Sequence, residues 1–131
     1  MLTPTISFQG NCDEAIAFYK ETLGAQVKDL SYYKDAPKEF VMDVASNYVM
    51  HSEVQIFGAV ITMTDGGKAP ITDDYFSFVL TLDTAEEVTT AFNKLAEHGT
   101  VIMPLETQFW SSLCGDVQDK FGIYWHVCTK G

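Results

Sequence analysis

The C-terminal part of this 131-residue chain repeats the pattern of its N-terminal half. Val54-Gln55-Ile56-Phe57-Gly58 leads into an apolar run ending at Met63, and Val117-Gln118, then Phe121-Gly122, leads into a second ending at Val127. An amphipathic helix precedes each hairpin. Asn11-Cys12-Asp13-Glu14 opens the first and Thr84-Ala85-Glu86-Glu87 the second, 73 residues later. A tandem repeat on this scale predicts two similar units, with the groove between them as the natural place for a ligand. The polar residues of the two copies can therefore be compared position by position.

The length fits one compact domain able to bury a core. The 8 basic against 18 acidic side chains give a net charge of −10. Such a surface repels phosphate backbones and anionic headgroups, which argues against nucleic-acid and membrane partners. The N-terminus lacks the basic and apolar segments of a signal peptide, and no apolar run approaches the roughly 20 residues of a membrane span. Cys12, Cys114 and Cys128 are odd in number and contain no CxxC pair, a pattern expected of free thiols in a reducing compartment. A cytoplasmic location follows as the expectation.

Along the chain, the pattern predicts a strand over Thr5–Gln9 and a helix capped by Asn11 with Glu14 completing a capping box. Cys12, Ala15, Ile16, Tyr19 and Leu23 form its buried stripe, and Gly24 stops it. Gln26–Tyr33 reads as a strand, and Tyr48–Ile56 with Ala59–Thr64 as a hairpin turning at Phe57-Gly58. The glycine-rich stretch from Asp65 to Pro70 marks the midpoint. The second copy follows in order: a strand over Phe76–Asp83, and a helix over Thr84–His98 with Ala85, Val88, Phe92, Leu95 and Ala96 inward. Gly99 stops that helix, a short strand from Thr100 is limited by Pro104, and a hairpin over Ser111–Asp119 and Ile123–Thr129 closes the chain. The expectation is an α+β fold of two tandem β-α-β-β-β modules: module one 1–66, linker 67–74 and module two 75–131.

With these residues, that order resembles the vicinal oxygen chelate superfamily (glyoxalase I, extradiol dioxygenases, fosfomycin- and bleomycin-resistance proteins), and within it the PhnB-like group. The likeness rests on Ile6-Ser7-Phe8-Gln9-Gly10-Asn11-Cys12-Asp13-Glu14-Ala15 with Phe18-Tyr19. It continues in His51-Ser52-Glu53, Phe109-Trp110, Asp119-Lys120-Phe121-Gly122 and Trp125. The resemblance implies a cupped sheet, the glyoxalase/bleomycin resistance/dioxygenase fold, and a homodimer, which would cover exposed sheet edges. Some members of the group carry a 3-demethylubiquinone methyltransferase label. The parallel sheet and Gly-rich turn that usually hold a methyl donor's adenosine are not legible in this chain.

The resemblance also implies where a metal would sit: a His or Glu on the first and last strand of each module. Those positions are Pro4, Thr62, Ser77 and His126 here. Proline offers no side-chain donor, two hydroxyls are weak ones, and a single imidazole is too few. The expectation is no metal cofactor at this place. A substitute remains open. His51, Glu53 and Gln55 share one strand face, a two-residue turn at Phe57-Gly58 sets Glu53 opposite Thr62, and a three-residue turn at Lys120-Phe121-Gly122 sets Asp116 opposite His126. A carboxylate beside His126 fixes its tautomer, as a general base requires, so His126, Asp116 and Glu53 are the catalytic candidates. The alternative is a divalent metal on His51, Glu53 and His126, with Asp116 nearby. Equally, His51 and Glu53 read as solvated edge residues and His126 as a half-buried structural histidine. Cys114 and Cys128 read as packing residues.

Phe8, Trp110 and Tyr124 supply aromatic walls, so the expected ligand cleft comprises Phe8, His51, Glu53, Thr62, Ser77, Trp110, Tyr124 and His126. Phe109-Trp110 lies in a loop, where large apolar side chains need a partner. The leading reading is a protein that binds a small organic molecule between its modules without the usual metal. A glyoxalase- or dioxygenase-like metalloenzyme and a drug-sequestering binding protein stand as alternatives.

Overall fold

The computed structural model describes residues 1–37, 45–68, 74–109 and 111–130. The chain forms two compact units, Met1–Pro70 and Ile71–Gly131.

In the first unit, β1 (Thr5–Phe8), α1 (Cys12–Leu23), β2 (Gln26–Tyr32), β3 (Val49–Ile56) and β4 (Ala59–Asp65) follow one another, with one 3-10 turn at Tyr33–Asp35. The sheet order is β1-β4-β3-β2, with β1 parallel to β4 and the other pairs antiparallel. The predicted stripe of α1 is the buried one. It packs over Val54, Ile56, Ile61 and Met63, all nearly inaccessible. Burial of each such side chain is worth about 1.5–3 kcal/mol. Gly24 closes α1 in the left-handed conformation, φ 66°, where its N–H and that of Ala25 satisfy the last carbonyls.

Two expectations for this unit change. Asn11 makes no side-chain cap to α1; the buried carboxylate of Asp65 substitutes for it, accepting from the N–H groups of Gly10 (2.8 Å), Cys12 (3.0 Å) and Val49 (2.9 Å). A charged acceptor at the end of β4 thus ties the helix start to the sheet, a bond stronger than a neutral cap. Phe8, expected in a cleft, shares the sheet face of Ile6 and Met63 and is buried in the core.

The second unit repeats the plan with β5 (Ser77–Leu82), α2 (Ala85–Ala96), β6 (Thr100–Gln108), β7 (Ser111–Gln118) and β8 (Tyr124–Thr129), in the order β5-β8-β7-β6. Here the side-chain N-cap forms: Thr84 Oγ1 accepts from the Glu87 N–H at 3.1 Å and donates to Glu87 Oε1 at 3.0 Å. The buried face of α2 is Val88, Ala91, Phe92 and Leu95; Ala85 is exposed and Ala96 only half-buried, so the stripe is rotated from the prediction. His98, φ 57°, takes the left-handed step after α2. Gly99 is required for a different reason, since a Cβ there would stand 2.3 Å from the Gln118 carbonyl oxygen. Pro104 does not limit β6, which runs on to Gln108. As a terminal strand with register shifts on both sides of Pro104, β6 tolerates a residue without an N–H.

Cys12, fully buried against α1's start, is the one free cysteine among the described residues. Burial, then the charges of Asp65 and Asp13, pushes its thiol from the ordinary 9.0 up to about 12. The unfolded chain therefore ionises this group first, and stability falls as pH rises from 9 towards 12, with no effect of this group below pH 9. Urea denaturation across that range should show a steeper alkaline loss for the native chain than for Cys12→Ala.

Candidate functional site

The site is built on the β7–β8 hairpin. Asp119 in its turn is buried, and its Oδ1 accepts from the N–H groups of Phe121 (2.9 Å) and Ile123 (3.1 Å), while Oδ2 accepts from the Trp125 indole (2.9 Å). Gly122, φ 87°, supplies the left-handed residue of the three-residue turn. This turn sets Asp116 opposite His126, as the sequence implied, and two residues further from the turn it sets Cys114 opposite Cys128.

Asp116, His126, Cys114 and Cys128 share the face of the sheet away from α2, because alternate residues point to one side. Asp116 Oδ1 is hydrogen-bonded to His126 Nδ1. An ionised Asp116 accepts from Nδ1, which leaves Nε2 facing the other way. Nε2 lies 3.1 Å from Cys114 Sγ and 2.9 Å from Cys128 Sγ. The two cysteines form a disulfide, with Cα atoms 4.2 Å apart across the hairpin. The expectation of free, merely packing thiols at 114 and 128 is thereby corrected: the register brings both sulfurs together beside the imidazole.

An open pocket of about 220 Å³ adjoins this face, lined by Asp74, Ser77, Val79, Asp116, Tyr124 and His126 among others. Parallel pairing of β5 with β8 sets Val79 beside His126 and Ser77 beside Tyr124. Asp116 and His126 are half-buried, with side chains 36% and 28% exposed, so water reaches the pair from the pocket.

In the first unit, Glu53 lies opposite Thr62, as expected, on the face away from α1. Glu53 is exposed and Thr62 half-buried. His51 stands 3.9 Å from Asp29 across β2–β3, both substantially exposed, a geometry of little energetic weight. Trp110 lies outside the described residues, and the adjoining Phe109 is almost wholly exposed. At the four positions where the resemblance implies a metal, Pro4 contributes only its carbonyl, which accepts from the Thr62 N–H. Thr62 and Ser77 are neutral hydroxyls, so that donor set does not fit a divalent transition metal. Among the described residues, the ligand atoms that do converge are those of Cys114, His126 and Cys128, all within 4.8 Å of one another.

A helix-backed mixed sheet built twice, with its polar cluster on the face opposite the helix, defines an α+β domain of the vicinal oxygen chelate type. Over residues 1–128 the chain matches the family described as 3-demethylubiquinone-9 3-methyltransferase, and it belongs to that family, the PhnB-like group of the superfamily. Protein YjdN of Escherichia coli (strain K12) is 36% identical over 141 residues, spanning 96% of this chain and 92% of that protein. A Bacillus cereus PhnB protein, described as a putative 3-demethylubiquinone-9 3-methyltransferase, superposes with TM-score 0.84 at 26% identity over 98% of each chain. The fosfomycin resistance protein FosX of Listeria monocytogenes, solved with Mn(II) and 1S,2S-dihydroxypropylphosphonic acid, shares the fold alone. Its TM-score is 0.71 at 14% identity, over 100% of this chain and 92% of that one.

Thiol titration checks the hairpin pairing directly. Denatured without reductant, the chain should present one reactive thiol, Cys12, and after reduction three.

Proposed function

We propose that this chain is a small-molecule binding member of its family, with a neutral or cationic organic ligand seated in the pocket beside Asp116 and His126. The observation that carries the reading is the pocket's chemistry. Two carboxylates, Asp74 and Asp116, line it with the hydroxyl-bearing Ser77 and Tyr124, and no lysine or arginine is among its described lining residues. On a chain of net charge −10 such a pocket disfavours an anion. The phosphonate bound by FosX is thus a poor guide to the ligand here.

Methyl transfer finds little support. Each sheet contains one parallel pair rather than a doubly wound parallel array. Of the two strand-to-helix turns, only the first contains a glycine, and the space beside it is filled: a Cβ on Gly10 would meet the Tyr48 hydroxyl at 2.7 Å. General-base catalysis by His126 is also disfavoured, because Nε2, the nitrogen left over after Asp116 is served, faces the sulfurs. Binding without turnover fits best, and it needs no metal at Pro4, Thr62, Ser77 and His126.

Thermal-shift measurements with matched sets of small cationic, neutral and anionic organic molecules test this. Cationic or neutral compounds should raise Tm, with the shift lost in Val79→Trp, which fills the pocket. Preferential stabilisation by anions, or shifts that survive Val79→Trp, would sink the reading. A homodimer belongs to the same proposal, supported by the terminal strands β2 and β6, whose outer edges a second copy can cover. Sedimentation should give two chains per particle at micromolar concentration, and a monomer would refute it.

A further inference from the structure

The Cys114–Cys128 disulfide lies against a histidine already prepared for another role. In the tautomer where Asp116 accepts from Nδ1, the Nε2 lone pair is directed at the two sulfurs, at 3.1 and 2.9 Å. In a disulfide neither sulfur carries a proton for that lone pair to accept. A carboxylate on one ring nitrogen and two sulfurs on the other is the outer-shell and inner-shell arrangement of a thiolate–imidazole metal centre. All three ligand atoms come from the two strands of one hairpin, and the cysteines are 0% and 6% exposed. Such a corner is screened from competing solvent, while His126 borders the open pocket and gives a route in.

We propose that reduction of the Cys114–Cys128 disulfide converts this corner into a Cys2His site for a thiophilic divalent metal of the zinc class, with Asp116 as the positioning residue for His126. The balance is explicit. A thiolate of a small thiol reductant attacks one sulfur, breaking the S–S bond and forming a mixed disulfide. A second reductant thiolate attacks the reductant's sulfur in that mixed disulfide and releases the cysteine still bound there. Net, two reductant thiols are oxidised to their disulfide, while Cys114 and Cys128 gain two electrons and two protons. Metal binding then releases the two thiol protons to solvent, and Nε2 donates its lone pair without losing a proton. Opening the S–S bond lets the sulfurs part to the separation that two Zn–S bonds of about 2.3 Å require, and a Zn–N bond of about 2.0–2.1 Å completes the trio. A tetrahedral ion keeps one position for water. The soft donors select zinc over magnesium, calcium or manganese. Redox state thus gates metal uptake: the oxidised hairpin offers one nitrogen, and the reduced hairpin a complete set.

The inference is independent of the ligand reading above, since it is tested with zinc alone and no organic compound. The chain is reduced with a phosphine, freed of reductant without air, and titrated with zinc by calorimetry in buffers of different ionisation enthalpy. The expected result is one zinc per reduced chain, with about two protons released per ion. The disulfide form and the Cys114→Ser/Cys128→Ser variant should take up none stoichiometrically. Cobalt(II) in place of zinc should give sulfur-to-metal charge-transfer absorption in the reduced chain only. Asp116→Asn should retain that absorption while weakening zinc about 10–100-fold, an effect that a purely structural role for Asp116 would not produce. Absence of stoichiometric zinc in the reduced chain overturns the proposal, as does equal uptake by the disulfide form or the double variant. Unchanged affinity in Asp116→Asn overturns the positioning role. Should reduction unfold the chain, zinc must restore its folded circular dichroism, and failure to do so counts equally against the site.

Discussion

The carboxylate of Asp119 holds the arrangement on which the candidate site rests. By accepting two backbone N–H groups within the β7–β8 turn it fixes a three-residue loop, and through the Trp125 indole it anchors that loop to the core. Trp125 in turn packs on Phe78 of β5, ring centroids 5.0 Å apart. The turn dictates register, and register dictates which side chains share a face. A slip of one residue would send Asp116, His126 and both cysteines to opposite faces or out of opposition. The chemistry of the hairpin is therefore a consequence of a buried carboxylate that touches none of the reactive groups.

The two modules solve the same folding problem with differently placed acids. Module one turns its hairpin on Phe57 and Gly58, both at positive φ, and needs no carboxylate there. Its buried aspartate, Asp65, is spent instead on the start of α1. Module two caps α2 locally with Thr84 and Glu87, which leaves its buried aspartate for the hairpin turn. The same division appears in the polar face. Glu53 opposite Thr62 in module one corresponds to Asp116 opposite His126 in module two. Two residues further out stand His51 in the first and Cys114 in the second. The repeat conserves backbone plan and face, while the donors differ. That is how one copy can carry soft ligands and the other none.

Most of the architecture was legible because it rests on periodicity: the module order, the α1 stripe and both turn lengths follow from apolar spacing and glycine placement. The departures each have a tertiary cause. Asn11 looked like a cap because its sequence neighbours fit the box, yet the charged acceptor arrives from Asp65, more than fifty residues away. Pro104 looked like a strand end because β6's terminal position was invisible in the pattern. Phe8 looked like a cleft residue because one strand's inward face cannot be told from its outward face before its partner, β4, is in register. The cysteine pair was missed despite being implied. Once Asp116 faces His126, the antiparallel rule places Cys114 opposite Cys128, and odd cysteine count and wide spacing concealed that step.

Charge explains why these particular donors belong together. Two thiolates and a nearby carboxylate on a chain of net charge −10 would repel one another strongly if buried without compensation. The disulfide removes the problem by removing both sulfur charges, and a divalent cation removes it by neutralising them. Each state leaves Asp116 to hold the Nδ1 proton, so the imidazole keeps its orientation through either. Under the proposed redox-gated site, the hairpin takes two forms with the same backbone register, one closed by a covalent bond and one open to an ion.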